Sequence, residues 1–197
     1  MDARSSPGCT RGTPASAVNS SFRPCALISL RPANRGLFLG VKYAGDMNTR
    51  SGHLVMAINR NLEVTALLRA LPVEKRLYRY APEKWSIQQL LGHLSDTERV
   101  FTYRTLRIAR GDQTPLAGFE ENDYAVAAES ESCNWDDLVE EFGHVRRATI
   151  ALLRNFPSSA WLRAGTASGA TLSARAAVYI MIGHVAHHVS ILRERYL

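Results

Sequence analysis

Gly183-His184-Val185-Ala186-His187-His188 carries three imidazoles inside an apolar run from Ala176 to Leu192. In a helix, residues three or four apart share a face. His184 can therefore aim a ring nitrogen at the same point as His187 or His188. Imidazole is a common ligand of zinc, nickel and iron, but one helical pair supplies only two donors. The best candidate for a third is His93, in Leu91-Gly92-His93-Leu94-Ser95-Asp96-Thr97-Glu98, a segment that is also helical and apolar-periodic. Three neutral histidines with water in the remaining position make a catalytic zinc-type arrangement. Such a metal lowers the pKa of its water toward about 7; alternatively it can bind and activate a thiolate. Asp96, three residues after His93, lies near the same face, where it can orient a ligand or accept a proton. The plainer reading of these residues is a set of packed core histidines, with Asp96 an exposed carboxylate paired to Arg99 or Arg104.

Other chemistries find no support. Val185 stands where a zincin needs Glu, so there is no HExxH. Gly165-Thr166-Ala167-Ser168-Gly169 has the wrong spacing for a nucleophile elbow, and neither a Walker loop nor GxGxxG occurs. Cys9, Cys25 and Cys133 are odd in number and widely spaced, which argues against disulfides and zinc knuckles and fits a reducing cytoplasm. Cys133 reads as a bystander beside a helix start. Arg104, Arg107 and Arg110 recur every three residues. They can fork an anionic substrate, but read more simply as a solvated face paired with Glu98, Asp112 or Glu120. His144 reads as surface or packing, and His53 as exposed.

Four amphipathic segments must position the histidines. The first spans about residues 53–70, with Leu54, Ile58, Leu62, Leu67, Leu68 and Leu71 near the 3.6 period, and Pro72 ends it. The second opens on Ser86-Ile87-Gln88-Gln89, a capping box, behind Trp85, which can pack back on it. Its core face is Ile87, Leu90, Leu91, Leu94, Phe101 and Ile108, and Gly111-Asp112 stops it near Arg110. A short helix is expected over about 121–128. The third begins at Asn134 as N-cap, with Asp136 and Asp137 in the first turn where the dipole favours them, and Pro157 stops it. One further turn fits residues 158–163, and Gly165 to Gly169 reads as loop. The fourth runs from Thr171 as N-cap to about Arg195. No segment alternates as a strand should. The expectation is an all-α four-helix bundle whose long 111–133 connection removes any guarantee of up-down topology.

The 197 residues carry a net charge of +6. Residues 1–50 hold seven Lys/Arg and two Asp/Glu, whereas 51–197 hold seventeen and sixteen. The basic excess thus lies in the leader, which weakens a nucleic-acid reading. No apolar stretch reaches the roughly 18 uncharged residues of a membrane span. The leader is rich in Ser, Pro, Arg and Gly and lacks helical period, so it is expected to be a disordered extension. The alternative expectation is that it is extraneous upstream sequence, with Met47 the natural start. The division is residues 1–50 as leader and 51–197 as one domain, with a homodimer plausible through an exposed helix face.

Lys84-Trp85-Ser86-Ile87, then Leu91-Gly92-His93-Leu94-Ser95-Asp96-Thr97-Glu98-Arg99, Tyr103-Arg104, Ala109-Arg110-Gly111-Asp112 and Gly118-Phe119, resemble the DinB-like superfamily. Gly183-His184-Val185-Ala186-His187-His188 resembles its closing helix. The likeness covers about residues 53–197. It implies a four-helix bundle holding a divalent metal, zinc or nickel, through three histidines. By motif position these are His93, His184 and His188. It further implies either thiol-dependent transfer, with a low-molecular-weight thiol as cofactor, or hydrolysis, on a small-molecule substrate. The alternative is a non-catalytic metal-binding stress-response bundle, its site closed by His187 or a carboxylate.

Overall fold

The structure is a computed structural model that describes residues 57–58 and 63–197. Among the described residues lie five α-helices: α1 (Glu63–Arg69), α2 (Ile87–Ala109), α3 (Glu121–Ala127), α4 (Trp135–Arg154) and α5 (Ala174–Ile191). Single 3-10 turns precede α2 and α4, and another spans Ser158–Leu162. Residues 53–56 and 59–62 of the expected first helix, including His53, lie outside the described residues, as do the leader and the proposed domain boundary.

Helix α2 starts where its cap dictates. Ser86 Oγ accepts the Gln89 amide and Gln89 Oε1 accepts the Ser86 amide, each at 3.2 Å, so two otherwise orphan donors are satisfied. Helix α4 starts on Asn134, whose Oδ1 accepts the amides of Asp136 and Asp137 at 2.9 and 3.2 Å. Gly92 on α2 is a packing requirement: a Cβ there would collide with Ser130 Oγ.

Cross-helix pairs fix the topology. Glu98 meets Arg146, Arg99 meets Glu141 and Thr102 meets Thr149, so α2 and α4 run the same way. His93 meets His184 and Thr102 meets Met181, so α5 runs the other way. Ile58 belongs to the core cluster around Phe101, Ile108, Ile150 and Met181. Val64, Leu68 and Leu71 belong to the cluster around Ile87, Leu91, Phe142 and Val185, so the first helix opposes α2. The long 110–134 connection, with α3 packed against α2, returns the chain to its starting end and makes α4 parallel to α2. Each fully buried Leu, Ile or Phe in these clusters contributes about 1.5–3 kcal/mol of transfer free energy.

Three expectations need correction. The loop at Gly165–Gly169 is a β-hairpin: β1 (Ala164–Ala167) pairs antiparallel with β2 (Ala170–Ser173). Ser168 and Gly169 both have positive φ, 51° and 74°, the requirement of a two-residue type I′ turn. Helix α5 therefore starts two residues later than Thr171: Ser173 is its N-cap, Oγ accepting from the Ala176 amide at 3.1 Å. Finally, Arg104 is not on a solvated face. It is buried, lies against the Phe101 and Phe119 rings and donates to Ala117 O and Ser168 Oγ at 2.7 and 3.0 Å. It ties the loop before α3 and the hairpin to α2. Glu98, its expected partner, pairs with Arg146 instead. Arg107 does pair with Asp112.

Glu121, at the start of α3, is buried, and its Oε1 has no hydrogen-bond partner. Burial, and then the neighbouring Glu120, push its carboxyl up from 4.5 to about 7. The folded chain thus binds this proton more tightly than the unfolded chain. The resulting stability is complete below about pH 4.5 and is lost as pH rises through about 7. Glu121→Gln cannot titrate, so the variant is expected to gain on the wild type between pH 5 and pH 8. Urea-unfolding midpoints measured across that range check this; a constant gap between the two proteins would contradict it.

Candidate metal centre

His93 comes from the first half of α2, and His184 and His188 from successive turns of α5. His93 Nε2 lies 2.9 Å from His184 Nε2, and His184 Nε2 lies 3.1 Å from His188 Nε2. One donor atom from each ring falls within 4.8 Å of the others. His93 and His188 are buried, and His184 is half-buried. His187, the alternative partner on α5, is exposed and stands outside this convergence. His144 is exposed on α4.

Burial is the main reason that all three rings stay neutral. It holds His93, His184 and His188 each down to about 3. The neighbouring rings add to it, and for His184 so does the positive charge of Arg146. At neutral pH every ring therefore offers a lone pair.

That arrangement fits a cation better than it fits hydrogen bonding. A neutral ring nitrogen carries either one proton or one lone pair. His184 Nε2 therefore cannot bond well to both its neighbours at once. Two imidazole donors about 2.0–2.1 Å from one ion can lie no more than about 4.2 Å apart, and the 2.9 and 3.1 Å separations fall within that limit. The donor set is all nitrogen, which suits zinc, nickel or iron rather than calcium or magnesium. Among the described residues no carboxylate or thiol joins the group.

Around this centre the structure places groups that the residue pattern did not single out. Thr97 Oγ1 lies 3.5 Å from His93 Nδ1, on the next turn of the same face. The Trp85 ring packs on the His93 ring at 4.5 Å between centroids. Asp96 turns away from Thr97's position by one residue step. It is half-buried and lies 3.6 Å from Arg99, which also holds Glu141. Burial raises its carboxyl and Arg99 opposes the rise. Thr97 was discoverable from its four-residue spacing to His93. Arg146, whose charge reaches His184, sits 38 positions before it on another helix and left no local signal.

No helix among the described residues is long and apolar enough to cross a membrane. A comparison with curated proteins gives no significant match. Solved structures do match. YfiT from Bacillus subtilis, described as a probable metal-dependent hydrolase with an unusual four-helix bundle topology, superposes with TM-score 0.68 at 13% identity. The match covers 79% of this chain and 90% of that one. A mycothiol-dependent maleylpyruvate isomerase matches with TM-score 0.59 at 17% identity, over 74% of this chain and 60% of its own length. These likenesses establish the four-helix-bundle fold. The sequence goes further, because residues 61–192, which carry all three converging histidines, match the DinB superfamily, and the chain belongs to that superfamily.

Proposed function

We propose that this protein is a divalent-metal-dependent enzyme whose ion, zinc or nickel, is held by His93, His184 and His188, and that it acts on a small molecule. The observation that carries this reading is the convergence of three neutral ring nitrogens from two helices on one point. The lack of a fourth protein donor among the described residues favours an open coordination position over a closed, purely structural one. When bound, the ion would act as a Lewis acid that lowers the pKa of a water or thiol at that position.

Two reactions suit such a centre: hydrolysis, or transfer involving a low-molecular-weight thiol. The similar structures are described one each way, as a probable metal-dependent hydrolase and as a mycothiol-dependent isomerase. We favour the thiol reaction, in a cytoplasm where such thiols stay reduced. The chain's own residues then have distinct tasks. The histidines bind through Nε2, Thr97 and Trp85 hold the His93 ring, and Asp96 at the helix face is the nearest carboxylate in sequence that can take up a proton.

The test is a screen of the full-length protein against electrophiles offered with low-molecular-weight thiols, and against ester and amide substrates. Turnover is expected to vanish on chelation and return with zinc or nickel. Full turnover by metal-free protein would contradict the proposal. Tight metal binding without turnover of either class would favour the non-catalytic binding module.

A further inference from the structure

His93 is the one converging ring that does not come from α5, so the centre keeps three donors only while this ring stays turned inward. Its own helix holds it weakly. The Thr97 contact at 3.5 Å is at the long limit of a hydrogen bond. What packs on the ring is Trp85, at 4.5 Å and tilted 45°, and Trp85 precedes the first residue of the α2 cap.

Trp85 is in turn fastened from the far end of the chain. After Ile191 the last turn widens: Leu192–Tyr196 is π-helical, with the Leu197 amide bonded to Leu192 O at 3.2 Å. Buried Tyr196 leaves this turn and donates its hydroxyl to the Trp85 carbonyl at 2.7 Å. Its ring meets Tyr80 edge-on at 4.9 Å and Tyr78 at 6.1 Å. Its own carbonyl accepts Lys75 Nζ at 2.9 Å. The segment before α2 and the end of the chain thus brace each other directly behind Trp85. The same helix that supplies two histidines also fixes the wall against the third.

We infer that Trp85 and Tyr196 are positioning residues of the metal centre: Trp85 locks the His93 ring, and the Tyr196 hydroxyl locks Trp85, so that the C-terminal turn sets how readily the centre gives up its ion. This rests on the three-histidine metal reading. Groups that orient a ligand typically change metal affinity by about 10–100-fold. Loss of the ring lock acts through faster release, because two histidines on one helix hold an ion far less tenaciously than three.

The test uses full-length protein loaded with zinc and chased with excess EDTA. Tyr196→Phe keeps the ring and its packing and removes only the hydroxyl; it is expected to release zinc about tenfold faster. Trp85→Ala is expected to be faster still, and Trp85→Phe intermediate. Ile150→Val, in the other core cluster, is a control for a general loss of stability and is expected to release zinc at the wild-type rate. A folded Tyr196→Phe protein releasing zinc within twofold of wild type would overturn the inference while leaving the metal site standing. A control that speeds release as much as Tyr196→Phe would overturn it too. A wild-type chain that takes up no zinc would overturn the metal reading and this inference with it.

Discussion

The Arg146→Met variant is expected to lose about 3–5 kcal/mol of folding stability. Arg146 has 0% of its side chain exposed and Glu98 only 2%, with Nη2 and Oε2 3.1 Å apart. Burial raises the Glu98 carboxyl, whereas Arg146 and then the Thr149 hydroxyl oppose that rise. Without the guanidinium, a carboxylate is left in the core between α2 and α4 with its charge uncompensated. It must either pay that cost or take up a proton. The pair itself is under-bonded: Arg146 Nε and Nη1 and Glu98 Oε1 have no hydrogen-bond partners. A buried ion pair of this kind is costly to break but not to replace. The double variant Glu98→Leu/Arg146→Met is therefore expected to recover most of the loss. Urea denaturation of the four proteins in a double-mutant cycle measures this. A single variant within about 1 kcal/mol of wild type would mean that the pair is not desolvated as described.

The second large effect concerns His188→Ala. A ligand that binds only the folded chain stabilises it by about 4 kcal/mol at a concentration a thousand times its dissociation constant. Wild-type protein is therefore expected to melt at a clearly higher temperature with zinc or nickel than after chelation. His188→Ala removes one of three converging donors, and its melting temperature is expected to be nearly the same with and without metal. His187→Ala is the matched control. That ring is exposed and outside the convergence, so the variant is expected to keep the metal-dependent rise. Equal metal responses in His188→Ala and wild type would remove His188 from the site.

How much was legible in the sequence followed the range of the interactions. The starts of α2 and α4 could be read because their caps are local: Ser86 with Gln89, and Asn134 with Asp136 and Asp137. The pairing of His184 with His188 was also local, one helical turn apart. The hairpin was not legible because its strands, Ala-Gly-Thr-Ala and Ala-Thr-Leu-Ser, have almost none of the β-branched and aromatic alternation that marks a strand. Its turn residues, Ser168 and Gly169, read equally well as plain loop. Missing the hairpin also displaced the start of α5 from Ser173 to Thr171, since both residues are competent caps.

The misplaced charges share one cause. A period of three put Arg104 with Arg107 and Arg110 on one face, but a helix turns about 100° per residue. Arg104 instead turns inward, towards a loop and a hairpin that no local pattern brings there. Glu98 finds Arg146 across a separation of 48 positions, which no local pattern encodes. At the centre the same geometry separates Asp96 from Thr97. One residue step carries the carboxylate out to Arg99 and the hydroxyl in towards His93.

The most direct measurement is the metal content of the full-length chain purified without a histidine tag, determined by elemental analysis beside His93→Ala, His184→Ala and His188→Ala. About one zinc or nickel per wild-type chain, lost in each of the three variants, is the predicted result. A folded wild-type chain that holds no metal even after exposure to both ions, or three variants that retain the wild-type amount, would contradict the three-histidine centre.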